Sequence, residues 1–238
     1  MLHLKKNIMK ILTFIPARSG SQGIKNKNMV FLNKKPLIYY TLKIAKKLNK
    51  YAYPFVSTDS QKILSYSKKF GFKNNYLRPK ILSKDNSDLI QAIMHGVSWL
   101  KKNHDMKFNV ILLLQPTTPI RQLKDLKLAI NQFKKKKLKS LVSVTPMKEH
   151  PYDCLKLKKN KWEYLVKNPK KINLRQKYKK NFYFIDGTFY IATLDFLKEN
   201  KNFVNKKDTK IFIQKRKWPI DIDDPEDLLV ARTFLNKK

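Results

Sequence analysis

The strongest constraint on this chain is an alternation: short apolar runs, the first from Ile11 to Ile15 and another from Val110 to Leu114, are separated by amphipathic stretches long enough to form helices. Residues 10–16 read as a buried strand. Residues 36–48 read as a helix, because Leu37, Tyr40, Ile44 and Leu48 recur on one face at a spacing near 3.6. The pattern predicts strands over 53–57, 110–114 and 140–144, and helices over 61–70, 88–102 and 124–133, with Gly71 as a helix stop. Strands alternating with helices make βαβ units, which close only into a mostly parallel sheet. Ligands of such sheets bind outside the carboxyl ends of the strands. Three polar motifs fall there: PARSGSQG after the first strand, STDS after the second and LQPTTPIR after residues 110–114.

The rhythm changes after Pro146. Residues 146–182 are basic, carry Trp162, Tyr164 and Tyr178, and read as an excursion from the sheet suited to a dimer contact. Residues 182–192 alternate like strand material around an Asp186-Gly187 turn. A short helix at 194–198, an extended segment and a final helix complete the chain. At 238 residues this is one domain, 1–238, with a core of useful size.

Composition excludes several function classes. No window approaches the roughly 20 apolar residues of a membrane helix, and MLHLKKNIMK lacks the apolar centre of a signal peptide, so the chain reads as soluble and cytoplasmic. Cys154 is the lone cysteine, which excludes an internal disulfide and a cysteine metal cluster. A net charge of +36 suggests a polyanion partner, but only six of the 53 basic residues are Arg, and the Lys are spread over the whole chain. Nucleic-acid readers favour Arg and cluster their charge. The diffuse Lys and Asn content instead fits a compositional bias, so nucleic acid is not the expected partner.

Against that background, two stretches stand out. IPARSGSQGIKNKN, residues 15–28, spends two of the chain's five glycines three positions apart. Gly20, Ser21 and Gly23 allow a tight turn that presents backbone N–H groups to an anion, with Arg18 as a fork for phosphate oxygens and Lys27 as a point charge. The stretch matches neither G-x-x-x-x-G-K-[ST] nor G-x-G-x-x-G. At the far end, PIDIDDPEDL gathers five of the seventeen acidic residues. In an extended chain Asp221 and Asp223 share a face opposite Ile220 and Ile222, and such a carboxylate pair suits Mg²⁺. Asp224, Pro225, Glu226 and Asp227 read as a helix start. A phosphate loop with a carboxylate pair describes a nucleotidyltransferase.

The ordered set IPARSGSQGIKNKN, VSTDS (56–60), LRP (77–79), LLQPTTPIR (113–121), RQ (175–176), DGTFYI (186–191) and DID (221–223) resembles the cytidylyltransferases that activate nine-carbon sugar acids, the CMP-sialic acid synthetases. The resemblance implies an α/β, Rossmann-like nucleotide-diphospho-sugar transferase fold with helices on both faces of a mostly parallel sheet, and a dimerisation excursion at 146–182. It implies the reaction of CTP with N-acylneuraminate or a related acid to give CMP-sugar and pyrophosphate, with Mg²⁺ as cofactor. Carried over by motif, Arg18 and Lys27 bind the triphosphate; Ala17, Ser21, Gly23, Asn28 and Arg78 join them at the nucleotide; Gln115, Tyr190 and Arg175 face the sugar, Arg175 from the partner subunit. Asp221 and Asp223 fall on the metal-binding aspartates. His3, His95, His104 and His150 lie outside the motifs, so no side chain is an evident general base, and deprotonation of the anomeric hydroxyl relies on metal-lowered acidity with Asp223 or a bound water assisting.

Three positions depart from the family: Gln22 and Lys25 in the loop, and Asp186 where Asn is usual, which places an extra carboxylate near an anionic sugar. The alternative acids are legionaminate, pseudaminate and a Kdo-like acid. An alternative from another class is a polyanion- or RNA-binding protein on the same fold.

Overall fold

The computed structural model describes residues 9–20, 23–159, 161–166, 178, 181–215 and 220–236. Along the chain the elements are β1 (Ile11–Pro16), β2 (Phe31–Leu32), β3 (Lys35–Pro36), α1 (Leu37–Lys47), β4 (Tyr53–Ser57), α2 (Gln61–Lys68), α3 (Leu89–His104) and β5 (Val110–Leu113). They continue with α4 (Leu123–Lys135), β6 (Ser140–Pro146), β7 (Leu155–Lys158), β8 (Lys161–Tyr164), β9 (Tyr183–Thr193), α5 (Leu194–Asn200), β10 (Thr209–Ile213) and α6 (Pro225–Asn236). The expected βαβ alternation is present, with boundaries shifted by a few residues.

Six strands form one sheet in the order β10-β6-β9-β5-β1-β4. β1 runs parallel to β4 and β5, and β6 parallel to β10, while β9 lies antiparallel between β5 and β6. β1 and β5 are apolar on both faces because both are covered. Leu12 and Phe14 point into a cluster with Ile93 and Leu100 of α3 and Phe196 of α5. Ile15 points the other way, onto Ile38, Leu42 and Ala45 of α1, and Leu112 meets Leu126, Ile130 and Phe133 of α4. The α/β architecture with a mostly parallel sheet between two helical layers is thus as the sequence implies.

Two details of the sheet position the site. Beyond β4, Phe72, Asn74, Tyr76 and Arg78 are alternately buried, a period-2 pattern that lays residues 72–78 along the β4 edge through a parallel bridge between Thr58 and Leu77. This carries Arg78 to the end of the sheet. The second detail corrects an expectation: Asp186-Gly187 is not a hairpin turn but an irregularity inside the single strand β9, where the register on β6 shifts between Val142 and Val144. Gly187 takes φ 68°, a left-handed conformation that costs Gly least. Asp186 turns inward, so the strand continues past the bulge.

The core is densest around Phe55, fully buried, with its ring 5.1 Å from Tyr76 and 5.8 Å from Phe14. Phe55→Ala removes the middle of this aromatic group and is expected to lower stability by about 3–5 kcal/mol, read as a shift of the urea unfolding midpoint.

Candidate active site

At the carboxyl end of the parallel strands lies an open cleft of about 690 Å³. One wall is the loop after β1, contributing Arg18, Gly23, Lys27 and Asn28; the floor carries Gln115, Pro116 and Thr117; Asp221 and Asp223 close one side, and Arg78 with residues 82–89 the other. Eight of the residues singled out from sequence therefore share one cavity: Arg18, Gly23, Lys27, Asn28, Arg78, Gln115, Asp221 and Asp223. Ala17 is buried behind the cleft, its N–H donating to the Ser57 carbonyl at 2.9 Å. Tyr190 does not line it; its ring stacks 5.5 Å from Phe203. Ser21 and Arg175, like Gln22, lie outside the described residues.

The loop after β1 is held from three directions. Ser19 gives its N–H and its hydroxyl to the two carboxylate oxygens of Asp59, each at 2.7 Å, which explains the STDS motif after β4. The Asn28 side-chain amide donates to the Arg18 carbonyl at 2.9 Å. Lys27, nearly buried, donates from Nζ to the Ile222 carbonyl and to Asp223 Oδ1, both at 2.9 Å, and so joins the first loop to the last extended segment. Gly23 makes the same junction from its backbone: a Cβ there would collide with the Asp223 carbonyl oxygen. Asp224 accepts from the Asp227 N–H at 2.9 Å while Asp227 accepts from the Asp223 and Asp224 N–H groups, a reciprocal cap that fixes the segment at the start of α6. That bond from the Asp227 backbone holds the Asp224 carboxyl below its usual range.

Beneath the floor sits a residue that sequence reading named only as part of a motif. Arg121 is buried; it donates from Nε to the Thr188 carbonyl at 2.6 Å, from Nη2 to the Gln115 carbonyl at 2.6 Å and from Nη1 to Thr41 Oγ1 at 3.0 Å. It clamps the end of β5, the β9 bulge and α1 together. Burial pulls its pKa down to about 9, with the Asp221 and Asp186 carboxylates opposing. Asp186 is equally enclosed, accepting from Ser143 Oγ at 2.5 Å, Gln214 Nε2 at 2.8 Å and the Thr188 N–H at 2.9 Å. It does not line the cleft, so this departure puts no bare carboxylate against a ligand there.

Arg78 differs from both. Its backbone N–H bonds the Thr58 carbonyl at 2.7 Å and its side chain is buried, yet Nε and Nη2 have no partner among the described residues. Burial lowers its pKa, partly offset by Asp59. Unpaired buried donors on a cleft wall are costly unless a ligand completes them.

A family model described as Cytidylyltransferase matches residues 12–227. The chain belongs to the cytidylyltransferase family. It is 33% identical over 228 residues to the CMP-N,N'-diacetyllegionaminic acid synthase of Legionella pneumophila, covering 95% of this chain and 97% of that one. It is 28% identical over 240 residues to the N-acylneuraminate cytidylyltransferase of Escherichia coli O18:K1:H7, covering 96% of this chain and 53% of that one. In fold it resembles a CMP:2-keto-3-deoxy-manno-octonic acid synthetase solved with CTP, at TM-score 0.68 and 15% identity over 96% of this chain and 99% of that one. As a cytidylyltransferase it is a nucleotidyltransferase enzyme.

In this cytidylyltransferase Asp221 and Asp223 are exposed carboxylates on one wall, and no group of three His, Cys, Asp or Glu among the described residues could hold a metal alone. Two hard oxygen donors short of a full protein cage fit Mg²⁺, which keeps waters and takes substrate phosphates as further ligands. No helix among the described residues is long and apolar enough to cross a membrane. Sequence reading named Asp59 and Arg121 only inside the STDS and LQPTTPIR motifs and missed the 82–89 wall. The wall's signal was residue type, since Asp85 and Asp88 are among few acids.

Replacing the Arg121 clamp by a single ammonium leaves buried carbonyls unpaired. Arg121→Lys is expected to cost about 2–3 kcal/mol of stability, measured by equilibrium unfolding.

Proposed function

We infer that this cytidylyltransferase joins CMP from CTP to a nine-carbon, sialic-acid-like 2-keto sugar acid and releases pyrophosphate. The observation that carries the reading is the junction of Lys27 and Gly23 with the Ile222-Asp223 segment, which puts a phosphate-suited loop and a carboxylate pair on one cleft. The anomeric hydroxyl of the acid attacks the α-phosphorus, the bond to the β-phosphate oxygen breaks, and the hydroxyl proton passes to a carboxylate such as Asp223 or to water. Arg18, Lys27 and the backbone of the Gly20 to Gly23 loop, Ser21 included, bind and orient the triphosphate; Asn28 and Ala17 shape that loop. Arg78 offers its unpaired Nε and Nη2 to the nucleotide, and Gln115, on the floor, reaches the sugar. Asp221 and Asp223 would hold a Mg²⁺ ion, which when bound neutralises triphosphate charge and acidifies a coordinated hydroxyl. Arg175, from a partner subunit, meets the substrate carboxylate, and Tyr190 acts from beneath the sugar side by packing.

Legionaminate-type acids are the first choice, since the legionaminic synthase of Legionella pneumophila matches at 33%, against 28% for the Escherichia coli neuraminate enzyme and 26% for the legionaminic synthase of Campylobacter jejuni. The enzyme acts as a homodimer in the cytoplasm. Its excursion supports this: β7 and β8 pair so that Leu155 faces Tyr164 and Leu157 faces Trp162, and all four are more than half exposed. An apolar ribbon of that kind marks an interaction surface.

With Mg²⁺ and a panel of nine- and eight-carbon sugar acids, CTP is expected to yield pyrophosphate, and Asp221→Ala to reduce the rate by about 100-fold or more. Release from no acid in the panel overturns the reading, and salt-sensitive RNA binding that survives Asp221→Ala supports the polyanion alternative instead. For the dimer, Trp162→Glu is expected to shift the mass seen by light scattering from two chains to one.

A further inference from the structure

Two cations of the first loop, Arg18 and Lys27, are engaged by carboxylates, and the two engagements differ. Lys27 is the enclosed partner of its pair, its side chain 11% exposed, and it also bonds the Ile222 carbonyl, so it is held by two partners. Arg18 reaches across the cleft to Asp85, with side chains 32% and 52% exposed, so this pair is open to exchange with solvent and solutes. Asp85 belongs to the opposite wall, a segment whose backbone bonds close on themselves: Leu82 N–H to the Pro79 carbonyl, Ser83 N–H to Lys80 and Ser87 N–H to Lys84, at 3.0–3.1 Å. None of these bonds joins the segment to the sheet. A polyphosphate lying along the first loop would need the Arg18 guanidinium, and the carboxylate across from it would have to give way.

We propose that Asp85 is an internal competitor for Arg18, a specificity-setting residue that a polyphosphate displaces on entry and that reclaims Arg18 as pyrophosphate leaves. This rests on the assignment of a triphosphate to the cleft. A monoanion with one contact cannot outbid a tethered carboxylate, whereas a polyphosphate that also meets Lys27 and the loop amides can. The device selects for chain length of the phosphate and keeps the leaving pyrophosphate from lingering.

The test is the calorimetric affinity of inorganic pyrophosphate, measured without any sugar acid, so that it stands or falls separately from the sugar assignment. Asp85→Asn is expected to bind pyrophosphate about two- to fivefold more tightly than the native chain, the range for a partly exposed ion pair, and the gain is expected to shrink with added salt. Asp85→Ser should move it the same way. Arg18→Ala should weaken binding and erase the effect of Asp85→Asn in the double variant. Equal or weaker binding by both Asp85 variants, or an Asp85→Asn gain that persists without Arg18, overturns the proposal.

Discussion

One buried ammonium holds the working end of the molecule together. Lys27 sits in the first loop, yet its two partners, the Ile222 carbonyl and the Asp223 carboxylate, come from the last extended segment. Removing a charge from water is costly unless its donors are satisfied, so the two segments are fixed with respect to each other once the chain has folded. Gly23 meets Asp223 at the same junction with no room for a side chain. The sheet brings the segments near; this contact sets their spacing. Neighbouring contacts brace the same junction: the reciprocal cap of Asp224 and Asp227 lies behind Asp223, and the Asp59 carboxylate holds Ser19.

A second layer of order lies under the floor. Arg121 ties three elements through one planar group, and Asp186, a residue apart from Gly187 at the bulge, is held by a hydroxyl, an amide side chain and a backbone N–H. Neither touches the cleft. They place the Gln115 backbone and the β9 bulge, and so the surface on which a ligand rests.

Much of this was legible in the residues. Apolar runs covered on both faces mark β1 and β5, and the stripe of Leu37, Tyr40 and Ile44 marks α1, because burial imposes a period that composition bias does not erase. The loop glycines and the acidic tail stand out because the chain is otherwise poor in both. What stayed hidden depends on partners far away in sequence. β10 sits at an edge with Ile211 and Ile213 exposed and no clean alternation, and β9 seemed to turn at Asp186-Gly187 because a bulge and a hairpin call for the same residues. Asp186 itself looked like a repulsive charge; only Ser143 and Gln214, brought in by β6 and the segment after β10, show it to be enclosed. Residues 72–78 carried a period-2 signal that is short and broken by polar side chains.

The reversed direction of β9 has a consequence for how such a chain can change. β6 leaves the sheet at Pro146, and β9 re-enters beside it, with Tyr183 paired to Pro146. The excursion between them therefore starts and finishes at one point on the cleft side of the sheet. Residues can be added to it or removed from it without altering the register of any strand in the six-stranded sheet. Whatever is added projects from the same end of the sheet that carries the cleft, so the part of the chain freest to vary in length leaves the six-stranded core unchanged.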